Sequence, residues 1–123
     1  MQNLQLLLVK HISVLTNPRY YKLLFPDPKN WLNQCNDELA LFGLILLERE
    51  TVIGGIFGTH DKARQKFQIR SWMVRNELRG LGFGQGLLRS LKMQLAQYNI
   101  QQIELAYSDE GVDKAVIQHI LNK

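Results

Sequence analysis

The sequence predicts an α/β domain of the α+β kind, and three observations predict it. Between Leu39 and Val74, apolar runs are separated by short polar turns, as in antiparallel strands joined in a meander. From Leu87 to Leu95 the apolar residues recur at three- and four-residue steps, the period of a helix with one buried face. Between them, Gly80, Gly82, Gly84 and Gly86 alternate with other residues and mark a strand-to-helix junction. A chain of 123 residues has room for one core, so 1–123 is expected to be a single domain.

Element by element, Asn3 to His11 reads as a short strand. Asn17-Pro18 then supplies an N-cap and a first-turn proline, opening a helix with Tyr20, Tyr21, Leu23 and Leu24 on its apolar side. Asp27-Pro28 repeats the signal and predicts a second short helix through Trp31, Leu32 and Cys35 to about Asp37. Leu41 to Leu47, then Thr51 to Thr59 across Glu48-Arg49-Glu50, reads as a hairpin. Gly54, Gly55 and Gly58 predict a bulge or a close backbone approach there. His60 to Lys66 is polar and predicts a turn, and Phe67 to Val74 closes the meander. The helix after the glycines begins near Gly84 or Gly86. Arg89, Lys92, Gln94 and Gln97 lie on its polar face, and Asn99 suits a left-handed stop. Ile100 to Tyr107 reads as a strand and Val112 to Leu121 as a last helix.

Composition narrows the function classes. One cysteine, Cys35, excludes an internal disulfide and a Cys-based zinc site, so no metal is expected; it fits a reducing cytosol and reads as a small buried or half-buried side chain on a helix. Leu6-Leu7-Leu8-Val9 is too short for a signal or a membrane span, and no membrane partner and a cytoplasmic location are expected. The net charge of +4 comes from the second half, from Lys62 onward, where it helps attract a polyanionic cofactor. The cations are spaced out, without the basic stripe and interleaved aromatics of a nucleic-acid footprint, so no nucleic acid is expected.

The glycine run carries most of the functional signal. A strand ending at Val74, then Arg79, Gly80, Gly82 and Gly84, then a helix, suits a phosphorylated ligand. N–H groups at a helix start lack intrahelical partners and carry the positive end of the helix dipole. Glycines bring that backbone to an anion with no Cβ in the way, and Arg79 adds a charge-assisted contact. The spacing excludes G-x-x-x-x-G-K-[ST] and G-x-G-x-x-G. What remains is R-x-x-G-x-G, at Arg79, Gly82 and Gly84.

That arrangement resembles the acetyl-CoA-binding motif of the GNAT superfamily of N-acetyltransferases, and the element order is similar from end to end. The resemblance implies a mixed, largely antiparallel sheet with helices on both faces. It also implies that the strand ending at Val74 and the one near Ile103 lie parallel and splay apart around pantetheine. By the same resemblance, Met73 and Val74 pair with pantetheine, and Arg79, Gly80, Leu81, Gly82, Phe83 and Gly84 bind the pyrophosphate of acetyl-CoA or another acyl-CoA. A side chain placed at Gly82 or Gly84 is expected to project toward the phosphates or force a disfavoured backbone.

Two departures from the family pattern stand out. Many members carry a glutamate base before the motif; the matching position holds Gln68, and the substitutes are Glu104, His60 and Glu77. The family's last helix runs N-x-x-A-x-x-x-Y; here Val112 replaces the asparagine, Ala115 fits, and His119 stands for the tyrosine as a candidate proton donor to the thiolate. The family's last two strands are expected to be absent, leaving the Ile100 to Tyr107 edge to pair with another copy or with more of a larger polypeptide.

The function these features imply is transfer of an acetyl group from acetyl-CoA to a primary amine, on a small molecule or a peptide. The rival reading is a non-catalytic acyl-CoA-binding or protein-interaction module. Tyr20, Tyr21, Phe25 and Trp31 are candidates to line an acceptor pocket.

Overall fold

The computed structural model describes residues 4–22, 24, 28–98 and 100–105. Strand β1 (Leu4–Val9) is followed by three short helices, α1 (Ile12–Leu15), α2 (Pro18–Tyr21) and α3 (Pro28–Leu32). Then come β2 (Leu39–Glu48), β3 (Thr51–Asp61) and β4 (Lys66–Val74), a 3-10 turn (Asn76–Leu78), α4 (Phe83–Leu95) and β5 (Gln102–Leu105). The described strands form one sheet in sequence order; every pairing is antiparallel except that of β4 with β5, which is parallel.

Helices cover both faces, which is why the apolar run of β2 is unbroken: Leu41 to Leu47 is buried throughout. On one face, Leu87, Leu88, Leu91 and Leu95 of α4 pack on Phe42, Leu44, Ile56, Phe67 and Ile69. On the other, Leu15, Leu24, Trp31 and Leu32 from the α1–α3 region pack on Ile45, Leu47 and Phe57. The outer strand β1 leaves Leu4, Leu6, Leu7 and Leu8 exposed.

The glycines of β3 do what their spacing predicts. A Cβ on Gly54 would collide with the Met73 carbonyl, and one on Gly58 with the Gln68 carbonyl, so β3 and β4 approach only because both are glycine. The register slips between Phe57 and Gly58, leaving Arg70 of β4 as an extra residue. A second irregularity falls between Leu46 and Leu47.

Several boundaries differ from expectation. The extra helix α1 precedes Asn17, which caps α2 as predicted by accepting from the Arg19 N–H at 2.9 Å. Helix α3 stops at Leu32 rather than near Asp37. The Asn36 side chain accepts from the N–H groups of Glu38 and Leu39, a local turn that competes with further helix. His60 lies in strand, not turn, because pairing with β2 continues to Asp61; the turn is confined to 62–65. Helix α4 starts at Phe83, one residue before Gly84. Phe25, Asn99, Tyr107, His119 and the last helix lie outside the described residues.

Candidate functional site

The end of β4 and the start of α4 are joined by a turn held at several points. Arg75 N–H still donates to the Ile53 carbonyl at 2.9 Å, continuing the ladder with β3. Backbone groups in a strand point alternately to either neighbour, so Val74, one residue earlier, directs its N–H and C=O away from β3, toward the β5 side. Met73 does the opposite, its carbonyl lying against Gly54 of β3, which corrects the expectation that Met73 pairs with pantetheine through its backbone. The Val74 carbonyl accepts from Arg79 Nε at 3.1 Å, which folds the arginine back over the strand end. The described pairing with β5 covers only Lys66 to Ile69.

The loop then turns through two left-handed glycines, Gly80 (φ 84°) and Gly82 (φ 90°), and a Cβ at either would meet nothing within 4 Å. These glycines therefore serve the backbone's conformation while leaving open space in front of it. Gly82 is the N-cap of α4, and among the described residues no side chain caps the helix. The first backbone bond of the helix is Gly86 N–H to the Gly82 carbonyl, at 3.0 Å. The N–H groups of Phe83, Gly84 and Gln85 precede it and lie at the positive end of a 13-residue helix. Trp72 holds this turn against β4, donating from Nε1 to the Gly84 carbonyl at 3.1 Å.

Gly84 is different from Gly82. A Cβ there would point back at Trp72 and Val74 at ordinary contact distances of 3.7 and 3.8 Å. The expectation that a side chain at Gly84 projects toward a phosphate is corrected: that position faces the protein. Phe83 is half-buried against the α4 core, whereas Leu81 is 65% exposed on the loop.

The candidate bases are distributed as follows. Gln68 Nε2 donates to Glu104 Oε1 at 2.9 Å, while its own Oε1 accepts from Arg70 Nη2 at 2.7 Å. Lys66 Nζ adds an ion pair to the same Glu104 oxygen at 2.7 Å. The hydrogen bonds from Gln68 and Lys66 hold the Glu104 carboxyl below its ordinary range, which makes it a reluctant proton acceptor. His60 pairs with Phe67 at the opposite end of β4, about 23 Å along the strand from Val74, and its ring meets Tyr98. Burial is the main cause of its lowered pKa. Glu77 is taken by Arg75 on the exposed turn.

Of the aromatic candidates, Trp31 is core, and Tyr20 packs beside it. Tyr21 lines an apolar pocket with Ile12, Leu15, Thr16, Pro18 and Leu32. Cys35 donates to the Trp31 carbonyl at 3.6 Å, and burial raises its thiol pKa. Sequence reasoning missed Trp72, and it missed Arg19, Lys22 and Arg75, which line a groove of about 420 Å³ with Val52, Met73, Val74, Asn76 and Arg79. These contacts join distant segments, and no local spacing announces them. Among the described residues no helix is long and apolar enough to cross a membrane.

Comparison with known proteins matches this architecture to solved acetyltransferases. An aminoglycoside acetyltransferase from an uncultured soil metagenomic sample, solved with sisomicin, superposes with a TM-score of 0.67 at 12% identity, covering 95% of this chain and 85% of that one. AAC(6')-Iy, solved with the bisubstrate analogue CoA-S-monomethyl-acetylneamine, gives 0.63 at 16% identity, covering 94% and 89%. The ribosomal-protein-S18-alanine N-acetyltransferase of Escherichia coli gives 0.65 at 14% identity, covering 94% and 75%. At such identities the likeness is one of fold. No curated protein matches the sequence. The family model described as the Acetyltransferase (GNAT) family matches residues 9–117. With that match spanning most of the sequence, the chain belongs to the GNAT family of acetyltransferases.

Proposed function

We propose that this protein transfers an acetyl group from acetyl-CoA to a primary amine on a small molecule or peptide. The observation that carries the reading is the start of α4. Three N–H groups, of Phe83, Gly84 and Gln85, precede the first helical bond, behind two left-handed glycines with open space before them. That cradle fits a pyrophosphate: the donors are fixed, the helix dipole favours the charge, and no Cβ intrudes. Gly80, Leu81 and Gly82 shape the turn, and Arg79 keeps its remaining guanidinium donors for the anion. Val74 supports pairing with the pantetheine amides because its backbone is directed to the β5 side; Met73 contributes its side chain to the wall beside it.

Bound acetyl-CoA supplies an activated thioester carbonyl. The protein's share is to hold the amine against it and to polarise that carbonyl with backbone N–H groups. Glu104 fits the base role poorly, because its carboxylate is already satisfied by Lys66 and Gln68. The same fact favours the second reading, an acyl-CoA-binding module without turnover. His119 remains the proposed proton donor to the thiolate. The proposed setting is cytoplasmic, and the proposed assembly is a homodimer or part of a larger polypeptide; light scattering showing only a monomer at high micromolar concentration would remove the dimer.

Calorimetric titration with acetyl-CoA tests the function. Saturable binding with release of CoA thiol in the presence of an amine panel is the expected result. Binding without thiol release for any amine selects the module; neither heat nor a thermal shift at millimolar cofactor removes both readings.

A further inference from the structure

The groove beside the cofactor cradle carries more charge than the cofactor reading uses. Arg19 and Lys22 come from α2 and the residue after it, and Arg75 and Arg79 come from the loop beyond β4. Four cationic side chains thus meet across one opening. Glu77 pairs with Arg75. Among the described residues no carboxylate forms an ion pair with Arg19, Lys22 or Arg79.

Part of the groove's lining lies on the side of the sheet away from the cradle. The open N–H groups belong to α4, which packs on one face with Val74 and Trp72. Val52, a wall of the groove, packs with the opposite cluster beneath α1–α3. Met73, paired with Gly55 and one residue from Val74, alternates to that same opposite face. The two ligand spaces therefore reach the end of β4 from its two sides, with Arg79 common to both. A ligand entering by the groove arrives at Met73 and Val74, where the reading above puts the thioester arm. Val52, Met73 and Val74 give it an apolar lining, and Arg19, Lys22, Arg75 and Arg79 a basic one.

We propose that this groove receives the acceptor, and that the acceptor is an amine carrying a carboxylate or phosphate near its reactive nitrogen. The proposal rests on the acyl-transfer reading. Arg19 and Lys22 hold the anion, and Val52 and Met73 hold the stem between anion and amine. Arg75, already paired, sets the rim. Polycationic amines such as aminoglycosides are repelled by the same groups.

Three C-terminally amidated peptides, Ala-Glu-Glu, Ala-Gln-Gln and Ala-Lys-Lys, titrated into the CoA-saturated protein test the proposal, with amide chemical shifts locating each site. The expected result is that Ala-Glu-Glu binds about tenfold more tightly than Ala-Gln-Gln, shifts Arg19, Lys22 and Val52, and weakens at high salt, while Ala-Lys-Lys does not bind. The double variant Arg19→Gln, Lys22→Gln is expected to erase that preference and leave CoA affinity within about twofold, less than a lost charge-assisted contact changes it. Equal affinity for the three peptides, no binding by any, or shifts elsewhere overturns the proposal. So does a loss of CoA affinity in the double variant as large as that in Arg79→Ala, which would assign these cations to the cofactor's phosphates. Failure of CoA itself to bind overturns the cofactor reading instead; the peptide series on the cofactor-free protein then still decides whether the groove selects anions.

Discussion

Gly82 is the position at which backbone conformation and anion binding are most tightly linked. Its φ of 90° is left-handed, and the next residue begins α4. Replacing it by alanine or valine either holds that conformation at a cost of about 1–2 kcal/mol or rotates the turn to relieve it. The first outcome lowers the melting temperature by roughly 3–6 °C per kcal/mol for a domain of this size. The second re-aims the N–H groups of Phe83, Gly84 and Gln85. Each hydrogen bond to a charged group contributes about 1.5–3 kcal/mol, so losing two of three weakens CoA binding by roughly two to four orders of magnitude.

Gly84→Ala is the control, because its Cβ would make only ordinary contacts with Trp72 and Val74. It adds a helix-favouring residue and is expected to stabilise by about 0.5–1 kcal/mol with CoA binding retained. Calorimetry with CoA and thermal melts on both variants separate the effects. A folded Gly82→Val protein that binds CoA as tightly as wild type would falsify the cradle. A Gly84→Ala protein that folds but loses binding would show that the anion sits deeper than the open N–H groups indicate.

Three further outcomes are expected. Arg79→Ala weakens CoA binding by about 1–3 kcal/mol by calorimetry, the scale of one charge-assisted contact, and no more, since the backbone donors remain. Glu104→Gln costs under about 1 kcal/mol at neutral pH, because the Glu104 side chain in its pair with Lys66 is a third exposed; the folded pKa is depressed, so its contribution is present above the ordinary value of 4.5 and disappears as pH falls through the folded one. If Glu104 is not the base, the variant also keeps kcat within about tenfold, whereas a general base is worth about 100-fold or more. His60 has the same sign of proton linkage in a higher window: its folded pKa lies below the unfolded value of about 6.5, so the unfolded chain takes up its proton first and stability falls as pH drops through that window. Urea melts from neutral to mildly acidic pH should lose that slope in His60→Gln.

Local patterns were legible wherever a local cause set them. The α4 stripe of Leu87, Leu88, Leu91 and Leu95 is wholly buried, as its period predicts. Asn17-Pro18 capped a helix because capping is decided within three residues. The β3 glycines marked close approach because a Cβ at Gly54 or Gly58 cannot fit against β4. Other features were set from a distance. His60 looked like turn because it is polar, yet β2 continues opposite it and satisfies its backbone as strand. The Gln68 position was visible as a departure from the family pattern, but its bridge from Arg70 to Glu104 depends on β4 and β5 lying side by side. The Trp72 anchor and the convergence of Arg19 and Lys22 on Arg79 join segments that no periodicity connects.

The bulge at Arg70 is the step that links the fold to the site. Phe67 and Ile69 are buried on the α4 face, and so is Val74, with Trp72 packed against it. Simple alternation cannot put residues 67, 69, 72 and 74 on one side, since the parity changes between 69 and 72. The extra residue makes the change: Ser71 pairs with Phe57 and Ile69 with Gly58, so Arg70 is passed over and the phase resets. Without that reset, Trp72 would turn away from α4 and lose the Gly84 carbonyl, and Val74 would leave the core. Met73 would then face α4 instead of the groove. The same residue that shifts the phase also ties its side chain to Thr59 and Gln68, on the face opposite α4. A slip of one position in the middle of β4 therefore decides which side of the sheet meets the cradle and which meets the basic groove, several residues before either is reached.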